Sequence, residues 1–210
     1  MANETKDYPV QLSIDYPKRD LNKLTTFFRV FTIIPIAIIL GLLSGSSFSS
    51  GMTTDWNWDY AYSGIVILPL VLMILFRKKY PRWWFDWNLA MTKFCARVSA
   101  YLLLLNDVYP STDEEQSVHI KINYPNAEKD LGRGMPLIKW FLAIPHYIVL
   151  SFLGIAAVIC SIIAWFAILF TGRYPAGLFD FVVGVGRWGL RVEAYALLMT
   201  TDKYPPFSLS

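Results

Sequence analysis

Apolar and polar positions alternate strictly from Val10 to Tyr16, with Val10, Leu12, Ile14 and Tyr16 on one side and Gln11, Ser13 and Asp15 on the other. The same alternation returns at Val118, Ile120, Ile122 and Tyr124 against His119, Lys121 and Asn123, and both runs end in Tyr-Pro. A period of two over this length predicts half-buried strands at 9–16 and 117–124. After each strand comes a charged turn and then sequence without charge: Val30 to Thr54 and Tyr60 to Phe76 in the first half, Trp140 to Gly172 in the second. About 20 apolar residues cover ~30 Å of hydrocarbon, so these runs predict membrane segments. A third pattern closes each half. Asp86, Ala90, Lys93, Arg97 and Tyr101 recur at helical spacing, and Asp180, Gly184, Arg187, Arg191 and Tyr195 repeat them, giving each helix one narrow polar stripe amid apolar residues.

The order is therefore written twice. LFRKKYPRWWFD (Leu75 to Asp86) returns as LFTGRYPAGLFD (Leu169 to Asp180), and Arg97-Val98 with Ala100-Tyr101 returns as Arg191-Val192 with Ala194-Tyr195. The expected fold is mainly α and integral to a membrane, a tandem duplication of strand, transmembrane hairpin and amphipathic helix. The first repeat is 1–112 (strand 9–16, hairpin 24–77, amphipathic helix 82–105). The second is 113–210 (strand 117–124, hairpin 135–172, amphipathic helix 176–199). Two equivalent strands can pair across a pseudo-two-fold axis normal to the membrane, as a small cytoplasmic sheet.

Charge placement sets the expected topology. No Lys or Arg lies between Arg29 and Arg77 or between Lys139 and Arg173, so each window starts and ends beside positive charge and should cross an even number of times, with both termini cytoplasmic. A hairpin is the favoured reading of each window. For the second, a single tilted helix of ~50 Å is the competing one. The first hairpin tip carries a Ser/Gly-rich and aromatic insert, Ser44 to Gly64, with Asp55 and Asp59 in the far loop. Pro35 and Pro145 stand at matching positions and predict kinks. The polar N-terminal stretch has no cleavable-signal pattern.

Composition agrees: 55% hydrophobic residues and a mean hydropathy of +0.39 are too apolar for an ordinary soluble domain of 210 residues. Cys95 and Cys160 sit in apolar sequence and read as buried thiols rather than a disulfide or metal site. P-loop, HExxH, GxSxG and paired-carboxylate motifs are missing, so the chain is expected to be non-enzymatic, without cofactor or metal. His146 invites a haem-ligand or proton-relay reading, but its counterpart is Ile36, and a satisfied buried histidine is favoured. His119 lies on the polar strand face and reads as solvated. Basic residues follow membrane edges rather than forming a dense patch, which argues against nucleic acid.

The stripes carry the candidate site. Lys93 and Arg97, with Arg187 and Arg191, place two cations a turn apart in each half, and charges amid so much apolar sequence need compensation. The favoured reading pairs Asp86 with Arg187 or Arg191 and Asp180 with Lys93 or Arg97, locking the repeats together. The alternative gives these cations to anionic lipid headgroups, aided by the RKKYPR run. Trp83, Trp84, Trp87, Tyr80 and Tyr174 are expected interfacial anchors. Tyrosine precedes Pro9, Pro17, Pro81, Pro110, Pro125, Pro175 and Pro205, marking element ends with a ring at the apolar boundary and a hydroxyl in water.

The strand ending in Tyr-Pro, the entry Ile144-Pro145-His146-Tyr147 and the closing RVEAYALLMTTDKYPPF from Arg191 to Phe207 together resemble the bacterial membrane family called domain of unknown function 4389. The resemblance covers both repeats, with Asn106-Asp107-Val108-Tyr109-Pro110 standing in for the closing motif in the first. It implies a small multi-pass protein of the bacterial inner membrane and no assigned reaction. The expected function is an accessory or scaffold subunit of a larger membrane complex, with lipids and other membrane subunits as partners. The alternative is an anionic-lipid-binding or lipid-handling module. A small carrier or channel is the weakest reading, because the apolar windows hold no acidic residue, Asn or Gln to coordinate an ion.

Overall fold

A computed structural model of the chain describes residues 8–44, 70–112, 114 and 116–210. The expected insert at the first hairpin tip and most of that hairpin's return limb lie outside the described residues. The two alternating runs form β1 (Val10–Ile14) and β2 (Val118–Ile122), paired antiparallel. Leu12 opposes Ile120, its own counterpart in the repeat, while Val10–Ile122 and Ile14–Val118 mirror each other about that pair. Val10, Leu12, Val118 and Ile120 are buried and the residues between them exposed, as the period of two requires.

Five α-helices are described. The first is α1 (Lys23–Thr32), whose first turn is capped by the Asn22 side chain accepting from the Leu24 N–H, and the second is α2 (Ile34–Ser44). A π-helical turn at Met73–Arg77 leads to α3 (Arg82–Leu102); α4 (Met135–Thr171) and α5 (Ala176–Ala196) follow. Pro81 and Pro175 stand at the starts of α3 and α5, where a missing N–H costs nothing, and their carbonyls accept from Phe85 and Phe179.

The second expected hairpin is not one: α4 runs unbroken for 37 residues, about 55 Å. Gly154 and Ser161 are too weak to break it, since the Ser161 hydroxyl bonds back to the Ala157 carbonyl at 2.9 Å within the same helix. Its buried stripe, Pro136, Lys139, Ala143, His146, Ala157, Ser161, Ala164 and Ile168, continues along the length. The helix stops at Gly172, whose φ of +77° suits glycine and whose N–H bonds Ile168. The matching prolines act differently. Pro145 is accommodated inside α4, whereas beside Pro35 the limbs Lys23–Arg29 and Ile34–Leu40 meet at 50°. Among the described residues α4 alone is long and apolar enough to cross a membrane, with the bent α1–α2 pair as a second candidate.

The layers are interlaced. β1 packs on α5 and β2 on α3, so each strand covers the amphipathic helix of the other half. On its opposite side α5 lies antiparallel along α4, with Trp140 donating to Ala196 O at 2.8 Å and Trp188 reaching His146. Beyond α5, α1 covers the end of α4, where Trp165 donates to Thr26 O. The Tyr-Pro tyrosines fasten the exchange with hydroxyls that donate to distant carbonyls: Tyr16 to Tyr174 (2.5 Å), Tyr124 to Tyr80 (2.6 Å), Tyr80 to Leu198 (2.6 Å) and Tyr8 to Lys203 (3.0 Å). Tyr16 sits edge-on to Phe179 as Tyr124 does to Phe85, at 5.0 and 5.2 Å.

Leu12→Asp places a carboxylate at the centre of the sheet, against both halves. It should destabilise the chain by roughly 3 kcal/mol or more, read as loss of the monodisperse species in mild detergent, whereas Ser13→Asp on the exposed face should change little.

Candidate functional site

The strongest polar constellations are two buried clamps that the stripe analysis did not single out. Arg29 of α1 is 2% exposed, donates to the carbonyls of Tyr101 (2.7 Å) and Asn106 (2.8 Å), and pairs with Asp107. Its guanidinium stands 4.3 Å from the Tyr101 ring centre. Lys139 of α4 is fully buried, donates to Thr201 O at 2.8 Å, lies 2.7 Å from Asp202 and faces the Tyr195 ring at 5.2 Å. Each aspartate uses its other oxygen for the loop entering the apolar helix: Asn22 N–H reaches Asp107 at 2.6 Å and Gly132 N–H reaches Asp202 at 2.5 Å. The chain turns into place through left-handed residues, Leu104 (φ 66°) and Met199 (φ 53°). One carboxylate per half thus ties the entry of the apolar helix to the exit of the amphipathic one. Arginine fills the site with its fork and lysine with a point charge. The sequence held a signal: each cation lies six residues before the matched proline, and each aspartate stands two residues before Tyr-Pro.

The stripe cations have other partners than expected. Arg97, 5% exposed, donates to Ser111 O at 2.8 Å. Arg187 donates to Leu12 O (3.1 Å) and Leu209 O (3.0 Å), and Arg191 to Ser208 O (3.3 Å) and Ser210 O (2.6 Å). Burial, and then the neighbouring Arg187, pull the Arg191 guanidinium below its usual pKa. Among the described residues Asp86, Asp180 and Lys93 enter no ion pair; both aspartates are exposed, one turn into their helices. Arg187 joins the halves through β1, while Arg97 binds Ser111 within its own half and Arg191 binds the closing segment, all through backbone oxygens. That segment lies tight on α5, since a Cβ at Gly184 would come within 2.9 Å of Leu209.

Of the expected anchors, Trp83 and Trp87 are exposed and contact Trp84 at 5.7 and 5.9 Å between ring centres. Tyr80 and Tyr174 are buried instead, at 5% and 2%. The tyrosine of a Tyr-Pro pair works here as a clamp across the chain, a role its boundary position concealed.

Two features remain in the second half. His146 is fully buried, accepts at Nδ1 from the Trp188 indole at 3.1 Å and stacks on Phe207 at 4.0 Å, with Tyr204 at 4.8 Å. An indole N–H can only donate, so the neutral ring carries its proton on Nε2, an atom with no partner. The counterpart Ile36 packs with Phe94 and Val98, so the polar pair replaces an apolar contact. Glu193 lines a cleft of about 250 Å³ between α3 and α5, floored by Leu12, Ile14 and Ile120. Burial pushes its carboxyl above the ordinary range. Among the described residues no group of three His, Cys, Asp or Glu side chains could hold a metal.

Residues 135–208, from the start of α4 through the Asp202 clamp, match the family described as Domain of unknown function (DUF4389). The match takes in one repeat and not both, in contrast to the resemblance expected over the whole chain. The first half departs where Asn106-Asp107-Val108 replaces Thr201-Asp202-Lys203 and where Pro145-His146-Tyr147 has Pro35-Ile36-Ala37 as its counterpart. No curated protein and no solved structure matches the chain.

Two outcomes follow from these environments. Asp202→Ala strands the Lys139 ammonium and should cost about 3–5 kcal/mol, while Lys139→Met with Asp202→Leu should recover most of that loss, as double-mutant thermal unfolding in detergent will measure. Glu193 has a folded-state pKa above its unfolded one. Its contribution is complete at acid pH and is lost as pH rises through the ordinary carboxylate range toward the raised value. Glu193→Gln should therefore raise the unfolding temperature at pH 8 and leave it nearly unchanged at pH 4.

Proposed function

We propose that this chain, whose residues 135–208 carry the DUF4389 unit, is a non-enzymatic accessory or scaffold subunit embedded in a bacterial inner membrane, built from two interlocked repeats. One observation carries the reading: α4 presents a long apolar face that no other described residue covers. Phe141, Phe152 and Phe170 are 73%, 69% and 81% exposed, and only 22% of the most apolar window of the helix is buried. On α1 and α2, Phe27, Phe31, Ile34 and Ile38 extend this surface. Apolar area on such a scale belongs against acyl chains or the helices of another subunit. The sheet and the polar turns then lie to the cytoplasmic side, beside the basic segments.

The scaffold reading is supported over anionic-lipid handling by the fate of the stripe. Arg97 and Arg191 are 5% and 2% exposed and bind backbone oxygens of the chain itself, which keeps them away from a headgroup at the surface. The exposed segment with Arg77, Lys79 and Arg82 remains free to sit near anionic lipid without being a site.

Ile155→Arg, on the exposed face, should impair insertion, since an arginine at the helix centre costs about 2.5–3.5 kcal/mol on insertion scales. Wild-type chain should stay in the membrane pellet after alkaline carbonate and the variant should be reduced there. Tagged chain from native membranes should bring down a stoichiometric membrane protein. Isolation as a lone monomer would count against the subunit role.

A further inference from the structure

Between α1, the end of α3 and the second half of α4 lies a cavity of about 400 Å³, separate from the clamps' own hydrogen bonds. Its walls are chiefly apolar, with Leu102, Leu103, Val158 and Ile162 among them. Val158 and Ile162 are also more than half exposed, so the cavity opens on the uncovered face of α4. Thr26 and Arg29 line it as well, 1% and 2% exposed, and each keeps one polar atom without a partner: Thr26 Oγ1 and Arg29 Nε.

We propose that this cavity holds one acyl chain of a diacyl glycerophospholipid, with an ester or phosphate oxygen accepting from Thr26 Oγ1 and Arg29 Nε. The inference rests on the membrane reading above. An acyl chain fits walls of leucine, valine and isoleucine that face the bilayer. The polar demand is for an acceptor, because Nε–H only donates and a hydroxyl donates readily. That acceptor needs no full charge. Asp107 already neutralises the guanidinium, so the site selects an acylated glycerol and not an anionic headgroup. Among the described residues the second half offers no counterpart: Pro136 occupies the position equivalent to Thr26 and has no hydroxyl to offer.

Full-length chain reconstituted in nanodiscs of phosphatidylglycerol or of phosphatidylethanolamine, then released into mild detergent, is weighed by native mass spectrometry. One phospholipid per chain should be retained, to the same extent from either lipid. Thr26→Val, which keeps the shape and removes the hydroxyl, should lower occupancy about fivefold, the effect of one lost hydrogen bond. Val158→Trp, which closes the mouth from the exposed side, should abolish it, and Ile162→Trp is the substitute should that variant not fold. Ile155→Trp, outside the cavity, should retain the lipid. Equal retention in Val158→Trp and wild type, or retention only from phosphatidylglycerol, overturns the site while leaving the membrane reading intact. Release of the wild type by alkaline carbonate overturns that reading instead, whatever lipid is found.

Discussion

Everything in this fold is arranged around the difficulty of burying a cation. Arg29 and Lys139 are taken almost entirely out of water at the entries of the apolar helices, and a lone buried charge of that kind would be intolerable. In each half an aspartate arrives from the end of the amphipathic helix, an aromatic ring lies across the cation, and backbone carbonyls take further donors. The same carboxylate fixes an N–H of the loop before the helix. Helix entry, helix exit and connecting loop are thereby held at one point.

The second constraint is exchange. Because β1 rests on α5 and β2 on α3, the contacts that hold each half together are largely supplied by the other. Arg187 of the stripe serves that arrangement by binding backbone oxygen on β1, while Arg97 and Arg191 fasten the segments that follow their own helices. Hydrogen bonds to carbonyls demand no partner side chain, so they persist where exposed Asp86 and Asp180 cannot reach. Glu193 and His146 mark where the halves differ, each a polar group in a position that its counterpart fills with serine or isoleucine.

How much of this was legible follows the range of each interaction. The strands were readable because alternation is a local property, and the two alternating runs pair as one small antiparallel sheet. The amphipathic helices were readable from periodicity, with α3 ending three residues short of the expected 105 where the left-handed Leu104 turns the chain. The second hairpin was misjudged because positive charge at both ends of an apolar run suggests a return, yet Gly154 and Ser161 do not break the helix, the Ser161 hydroxyl bonding back to the Ala157 carbonyl. Arg29 and Lys139 looked like edge charges, since nothing in their neighbourhood reveals an aspartate more than sixty residues away. Tyr80 and Tyr174 are buried for the same reason: a Tyr-Pro pair announces the end of an element but not the distant partner, Leu198 O for the Tyr80 hydroxyl and the Tyr16 hydroxyl for the Tyr174 carbonyl.

The hydrogen bond from Tyr8 to Lys203 closes a span of 195 residues, and β1 waits for β2 across most of the first half. During synthesis the first strand therefore leaves the ribosome with its partner still unmade, its buried face and hydrogen-bonding edge open for several seconds at ordinary elongation rates. A chain interrupted before Val118 would present the quality-control proteases with an unpaired β1.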